Sequence, residues 1–182
     1  QTDIAQEIFL DLQRAGFLQE LELEQVYCEG CKRFLADRFV EGTCPHCAYN
    51  EARGDQCDKC GKLLNAVELI DPVCKVDASH ACVVRKTEHL HLDLPKVEKR
   101  LRAWLDGRRS SGEWSENAIA ITDGWLRDGL RPRCITRDLS WGTPVPLEDP
   151  RFKGKVFYVW FDAPIGYISM TACYTPRWRE WW

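Results

Sequence analysis

Three Cys-x-x-Cys pairs, Cys28/Cys31, Cys44/Cys47 and Cys57/Cys60, occupy the first third of the chain and limit what it can fold into. Each pair sets two thiols on one side of a tight turn, and two such turns complete a tetrahedral Zn²⁺ shell with Zn–S near ~2.3 Å. Cys44-Pro45-His46-Cys47, nine residues, then Cys57-Asp58-Lys59-Cys60-Gly61 has that spacing, so Cys44, Cys47, Cys57 and Cys60 are assigned to one zinc ion. Gly61 lets the backbone fold under the sulfurs. A four-cysteine shell leaves no open position for water or substrate, so such a metal holds a shape rather than catalyses. The N-terminus lacks the basic-then-apolar pattern of a secretory signal, which favours metal over disulfides.

Cys28-Glu29-Gly30-Cys31 is a further half-site that needs a partner. Cys74 is the third ligand expected, and the fourth is sought at Cys82 or His80, with Asp77 behind them. We assign the second shell to Cys28, Cys31, Cys74 and Cys82 and leave His80 open. Spacing allows either a nested arrangement, with 44/47/57/60 inside, or a cross-braced one joining 28/31 to 57/60. Cys-Pro-His-Cys is also a motif of oxidising thioredoxin-fold proteins. That chemistry needs the motif to open a helix in a βαβ unit, whereas here it stands among turns. Cys134 and Cys173, alone beside apolar residues, are read as buried small side chains.

Outside the cysteines the chain reads as helices and buried strands. A helix is expected over 3–16, capped by Asp3, with Ile4, Ile8, Leu12 and Ala15 as its apolar stripe and Gly16 at its end. A short strand over 21–27 leads into a turn-rich segment with little core of its own. Helices follow over 94–106, from Asp93 and Pro95 to Gly107, and over 116–128, with Ala118, Ile121 and Trp125 as the buried face of the latter. Cys134-Ile135-Thr136 is a short strand. Val156-Phe157-Tyr158-Val159-Trp160-Phe161 lacks alternation, as a central strand covered on both faces would. It ends at Asp162-Ala163-Pro164, a turn into a helix. The pattern is an α/β framework interrupted by a zinc-knuckle, or zinc-ribbon-like, insertion. Hydrophobic content of 45% and charged content of 29% suit a globular protein, and no apolar run approaches the ~18 residues of a membrane span. The net charge of −3 argues against a general nucleic-acid binder, and metal-bound thiolates would make the insertion more acidic still. A chain that opens at Gln1, carries its one methionine at Met170 and ends in Trp181-Trp182 is expected to be part of a larger protein.

Several stretches resemble methionyl-tRNA synthetases: Arg38 to Cys47, Gly54 to Gly61, Glu88-His89-Leu90-His91-Leu92-Asp93-Leu94-Pro95, and Val156 to Tyr167. The two cysteine knuckles and the wording of 134–147 resemble the eukaryotic and archaeal branch. The resemblance implies a partial Rossmann-type catalytic domain at 1–27, a zinc-binding connective peptide at 28–92, and the return of the catalytic domain at 93–182. It implies that Trp160, Ala163, Pro164 and Tyr167 line a methionine side-chain pocket. A flexible thioether suits aromatic edges. Without the resemblance, Trp160 and Tyr167 read as ordinary core aromatics. Arg137 matches an arginine that helps hold methionine and ATP, its alternative role being an ion pair with a nearby acid.

The resemblance further implies a cytoplasmic enzyme that uses ATP and Mg²⁺ to activate methionine and pass it to tRNA(Met), with other synthetases as partners in a multi-enzyme complex and no membrane contact. The family's two ATP motifs, HIGH and KMSKS, do not occur in these 182 residues. No catalytic residue is therefore assigned, and the chain alone is expected to be inactive. Lys96, Lys99, Arg100, Arg102, Arg108 and Arg109 form a solvated helix face, or alternatively a contact for tRNA phosphates. The competing class is a free-standing zinc-ribbon module binding nucleic acid or protein, which would not need so large an α/β framework.

Overall fold

The structure is a computed structural model that describes residues 1–112 and 114–182. It runs α1 (Thr2–Arg14), β1 (Leu18–Cys28), β2 (Arg33–Phe34), β3 (Val40–Thr43), β4 (Ala52–Arg53), β5 (Ile70–Cys74) and β6 (Cys82–Leu92). There follow α2 (Leu94–Ser111), α3 (Glu116–Asp128), β7 (Arg133–Cys134), β8 (Thr136–Arg137), β9 (Val156–Phe157), α4 (Val159–Asp162) and α5 (Ile165–Tyr174). The strands form sheets of order β2-β1-β6-β7, β4-β3-β5 and β8-β9. Two compact units result: Gln1–Leu21 with Leu90–Thr136 and Phe157–Trp182, and Glu22–His89 with Arg137–Val156. The second unit thus takes in 137–156, a segment not contiguous in sequence with the cysteine region.

The first unit is built on helix packing. Phe9 of α1 is wholly buried and meets the Phe157 ring at 5.2 Å, and Phe157 meets Phe161 at 5.1 Å. Leu105 of α2, Leu126 of α3 and Ile135 are buried with them. α3 begins where the sequence predicts, because the Ser115 hydroxyl accepts the Ala118 amide at 3.3 Å and relieves an orphan donor of the first turn. Among the described residues no helix is long and apolar enough to cross a membrane.

The second unit has a smaller core. Val26, Leu35, Val40, Ala52, Ala66 and Leu69 pack around the buried Cys28, Cys44, Cys57 and Cys74. Antiparallel pairing sets Val40 opposite Cys74 and Gly42 opposite Ala52, which carries the cysteine turns on a three-stranded frame. Close backbone approach demands glycine at two places. A Cβ on Gly54 would lie 2.6 Å from the Asp37 carbonyl oxygen, and one on Gly42 would lie 2.9 Å from that of Ile70.

Several expectations are corrected. The strand over 156–161 is only two residues long, and Val159 begins a helical turn closed by the Ala163 amide on the Val159 carbonyl at 2.9 Å. Phe157 and Phe161, four apart, are the buried pair, while Val159 is 64% exposed. A run of apolar residues without a period reads equally as strand or helix, and here helical spacing decides. In α1 the buried positions are Ala5 and Phe9, one step around from the expected stripe, and Gln1 rather than Asp3 is the N-cap. α2 passes through Gly107 and ends at Gly112, whose φ of 69° supplies the left-handed cap. Ile121 and Trp125 face outward, leaving Leu126 as the buried contact of α3. Cys134 is buried as expected, but Cys173 on α5 is exposed.

Candidate metal centres and substrate wall

The second unit gathers its cysteines into two sets. Among the described residues, Cys44, Cys47, Cys57 and Cys60 form one and Cys28, Cys31, Cys74 and His80 the other, with the donor atoms of each set all within 4.8 Å of one another. The pairing is nested, since the first set lies in sequence between the members of the second. Cys44 Sγ is 3.9 Å from Cys60 Sγ, and Cys47 Sγ is 3.6 Å from Cys57 Sγ. A tetrahedron with Zn–S of ~2.3 Å has edges of about 3.8 Å, so these sulfurs stand as a zinc shell requires. They are also far beyond disulfide bonding, and every cysteine is free. In the second set Cys31 Sγ lies 3.8 Å from Cys74 Sγ and 3.4 Å from His80 Nδ1. Cys82, assigned from sequence to this shell, is outside the set, although its thiol neighbours Cys28.

The turns follow one local plan. Backbone amides point at sulfur, from Cys31 to Cys28 at 3.3 Å and from His46 to Cys44 at 3.4 Å. The residue after the second cysteine of each pair is left-handed: Lys32 at φ 53°, Ala48 at φ 57° and Gly61 at φ 71°. Cys44–Cys47 therefore closes a turn, with the Ala48 amide on the Cys44 carbonyl at 3.0 Å, and opens no helix. The thioredoxin arrangement is absent from this motif.

Electrostatics favour a cation in both sets. The Cys60 amide is foremost in lowering the Cys57 thiol to about 7. For Cys47 the Tyr49 amide favours the thiolate, yet burial and the sulfurs of Cys57, Cys60 and Cys44 push it up to about 12. At Cys28 burial opposes ionisation, but the Cys31 amide and the Cys31, Cys74 and His80 side chains bring it down to about 7. The Cys28 thiol then raises Cys31 to about 11. One thiolate per set is accessible near neutrality and the next is resisted by the first. A bound dication removes that conflict.

The second unit also holds a polar network with no counterpart in the expectations from sequence. Asp138 Oδ2 accepts from Thr87 Oγ1 at 2.8 Å and meets His89 Nε2 at 3.1 Å, while Lys155 Nζ donates to Asp138 Oδ1 at 2.5 Å. The Gln25 carboxamide reaches His89 Nε2 at 2.9 Å. His89 and Lys155 are buried. Thr87 and Lys155 stand 51 and 17 residues from Asp138 in sequence, so no local signal pairs them.

The residues implied for a methionine wall are in the first unit. Trp160 is held by its indole N–H, which donates to the Cys134 carbonyl at 2.7 Å, and by the Arg133 guanidinium 4.6 Å from its ring centroid. Ala163 and Tyr167 share an open groove of about 630 Å³ with Gln1, Gly166, Ser169, Met170 and Cys173. Tyr167 is 63% exposed, so it is not a core aromatic. Trp160 does not line that groove. Pro164 is the N-cap of α5. Arg137 belongs to the second unit, where its charge acts on the Asp37 carboxyl, a group that burial pushes upward. Of the basic face in the first unit, Lys96 pairs with Asp93, Arg102 with Glu98 and Arg109 with Asp123.

Comparison with known proteins gives the class to which this mixed α/β framework with its paired cysteine sets belongs: the class I tRNA synthetases. The sequence matches the family described as tRNA synthetases class I (M) over residues 1–182, and the chain belongs to that family. It is 62% identical over 182 residues to the cytoplasmic methionine–tRNA ligase of Xenopus laevis, covering 100% of this chain and 20% of that protein. The Homo sapiens protein of the same name is 63% identical with the same coverage, and a probable one from Dictyostelium discoideum is 58% identical, with 24% of its length covered. The chain thus spans about a fifth to a quarter of the length of the curated relatives it matches. Among solved structures, Mycobacterium tuberculosis methionyl-tRNA synthetase with methionyl-adenylate superposes at a TM-score of 0.54 and 17% identity, covering 92% of this chain and 27% of that one. The free form gives 0.56 at 16% identity, covering 100% and 31%. At such identity the likeness is one of fold.

Proposed function

We propose that the chain serves within a cytoplasmic methionine–tRNA ligase that activates methionine with ATP and Mg²⁺ and transfers it to tRNA(Met). The observation that carries this reading is identity of about three residues in five, over the whole chain, to cytoplasmic ligases of that name. Within that enzyme the second unit contributes two structural zinc knuckles. Cys44, Cys47, Cys57 and Cys60 hold one ion, and the set around Cys28, Cys31 and Cys74 holds the other. Zinc supplies cross-links between turns that a core of this size lacks.

The first unit contributes Trp160, Ala163, Pro164 and Tyr167 as one wall of the methionine pocket. An open tyrosine on an apolar groove suits a thioether, and the pinned Trp160 indole, outside that groove's lining, is assigned to the wall by the family resemblance. Arg137 is assigned to the carboxylate or phosphate end of the bound substrates. The chain alone carries neither ATP motif of its family and is inactive by itself.

The test is a chimera in which residues 1–182 replace the matching stretch of the human relative. The chimera is expected to catalyse methionine-dependent ATP–pyrophosphate exchange, and Trp160→Ala or Tyr167→Ala to raise the methionine KM about tenfold or more with the ATP KM unchanged. An inactive but folded chimera, or KM values untouched by both substitutions, would overturn the assignment.

A further inference from the structure

The second metal set has three cysteines and two claimants for its fourth place, His80 and Cys82. The question rests on the zinc reading above, and the structure separates the two claimants by three independent observations.

The first is distance. His80 Nδ1 lies 3.4 Å from Cys31 Sγ, and the four donors of Cys28, Cys31, Cys74 and His80 all fall within 4.8 Å of one another, a set that excludes Cys82. A tetrahedral shell with Zn–S of ~2.3 Å and Zn–N of ~2.0 Å has a sulfur-to-nitrogen edge of about 3.5 Å.

The second is space. The imidazole lies directly on Gly30, the third residue of the Cys28–Cys31 turn. A Cβ built there would stand 2.3 Å from His80 Cγ and Cδ2 and 2.6 Å from Nδ1. Any side chain at position 30 would occupy the volume that the ring fills, so the turn itself is shaped for this histidine.

The third is what stands behind the ring. Asp77 Oδ1 accepts from the Ser79 amide at 2.9 Å and the Ser79 hydroxyl at 2.6 Å, which fixes the carboxylate. Its other oxygen, Oδ2, faces His80 Nε2 at 3.6 Å, and the His80 amide donates to the Asp77 carbonyl at 3.0 Å. A carboxylate on that side favours the proton on Nε2 and leaves the Nδ1 lone pair for a metal. This is the usual arrangement around metal-bound histidines.

We propose that the second zinc shell is Cys28, Cys31, Cys74 and His80, with Gly30 as the seat of the imidazole, Asp77 as its positioning residue and Cys82 as a bystander. Asp77 occupies a position three residues after Cys74, where a fourth Cys-x-x-Cys pair would place a cysteine. In this chain that position orients the ligand instead of being one.

Cadmium NMR on the full chain tests the assignment, because the cadmium shift distinguishes a four-thiolate shell from one of three thiolates and an imidazole. Two resonances are expected, one of each kind, and the four-thiolate signal serves as an internal reference. Cys82→Ser should leave both in place, and His80→Ala should remove or move only the second. Asp77→Ala should keep the second resonance where it is and weaken cadmium binding at that site about tenfold. Gly30→Ala should displace the second resonance alone. Two resonances of which the second follows Cys82→Ser and ignores His80→Ala would overturn the ligand assignment. Unchanged affinity in Asp77→Ala would overturn the positioning role. Absence of both resonances would overturn the zinc reading beneath them.

Discussion

Lys155 Nζ lies 2.5 Å from Asp138 Oδ1 and 2.8 Å from Thr87 Oγ1, and Lys155 is only 5% exposed. A charge so far from water is tolerable because it is paired. Removing one partner leaves the other buried without compensation. Lys155→Met is therefore expected to lower the stability of the cysteine-bearing unit by about 3 kcal/mol. Adding Asp138→Asn to that background should cost less than it does in the parent. Urea denaturation of the parent, the two single variants and the double variant reads this directly, and additive losses would refute the pairing argument.

The same network predicts an acid-side decline. Burial pushes the His89 imidazole below its usual value, against the pull of Asp138. A depressed folded value means that the neutral form is favoured in the native state. Its contribution is full above about 6.5 and is lost as pH falls below that. Asp138 is half-buried, which opposes ionisation, but hydrogen bonds from His89, Lys155 and Thr87 hold its carboxyl at about 2. Its contribution of about 2 kcal/mol stands above pH 4 or so and disappears only towards pH 2. Histidine NMR on the metal-loaded protein should show His89 charging below the usual imidazole range. A His89 that charged within or above that range would contradict the burial argument.

The knuckle turns carry a testable cost. Ala48 at φ 57° and Lys32 at φ 53° adopt the conformation that Gly61 adopts freely at φ 71°. A side chain there costs roughly 1–2 kcal/mol, part of which glycine returns through its looser unfolded state. Ala48→Gly is expected to raise stability by up to about 1 kcal/mol, and Gly61→Ala to lower it by about as much. Thermal melts of the two variants should move in opposite directions.

Metal removal should unmask thiols in a fixed order. Cys173 is exposed and is expected to react with a thiol reagent at once. The seven cysteines of the two sets should react only after chelation. Because Cys28, Cys44, Cys57 and Cys74 are part of the core itself, chelation should also abolish the cooperative melt of that unit. Rapid reaction of all thiols in the metal-loaded protein would sink the prediction.

The elements easiest to read from sequence were those with a local cause. Ser115 and Gly129 bound α3 at Glu116–Asp128, as expected from cap chemistry. The cysteine turns were legible because metal spacing is short-range. Which side of α3 is buried was not, since Ile121 and Trp125 are apolar but the neighbouring α2 meets Leu126. The run from Val156 to Phe161 failed for a related reason: six apolar residues have no period of their own. His80 was only one of three candidates in sequence, and its seat on Gly30 lies fifty residues away, beyond any local signal.

Nesting also sets how far one ion can help the other. Cys31 and Cys74 are 43 residues apart, and Cys44 and Cys60 are 16 apart within that span. Tying the inner span shortens the free path of the outer one to about 28 residues, and the entropy of closing a loop changes only with the logarithm of its length. The gain is about 0.4 kcal/mol, less than a twofold change in affinity. Loop closure therefore couples the two ions only weakly, and a zinc titration that shows strongly concerted loading would locate the coupling in the core that both sets share.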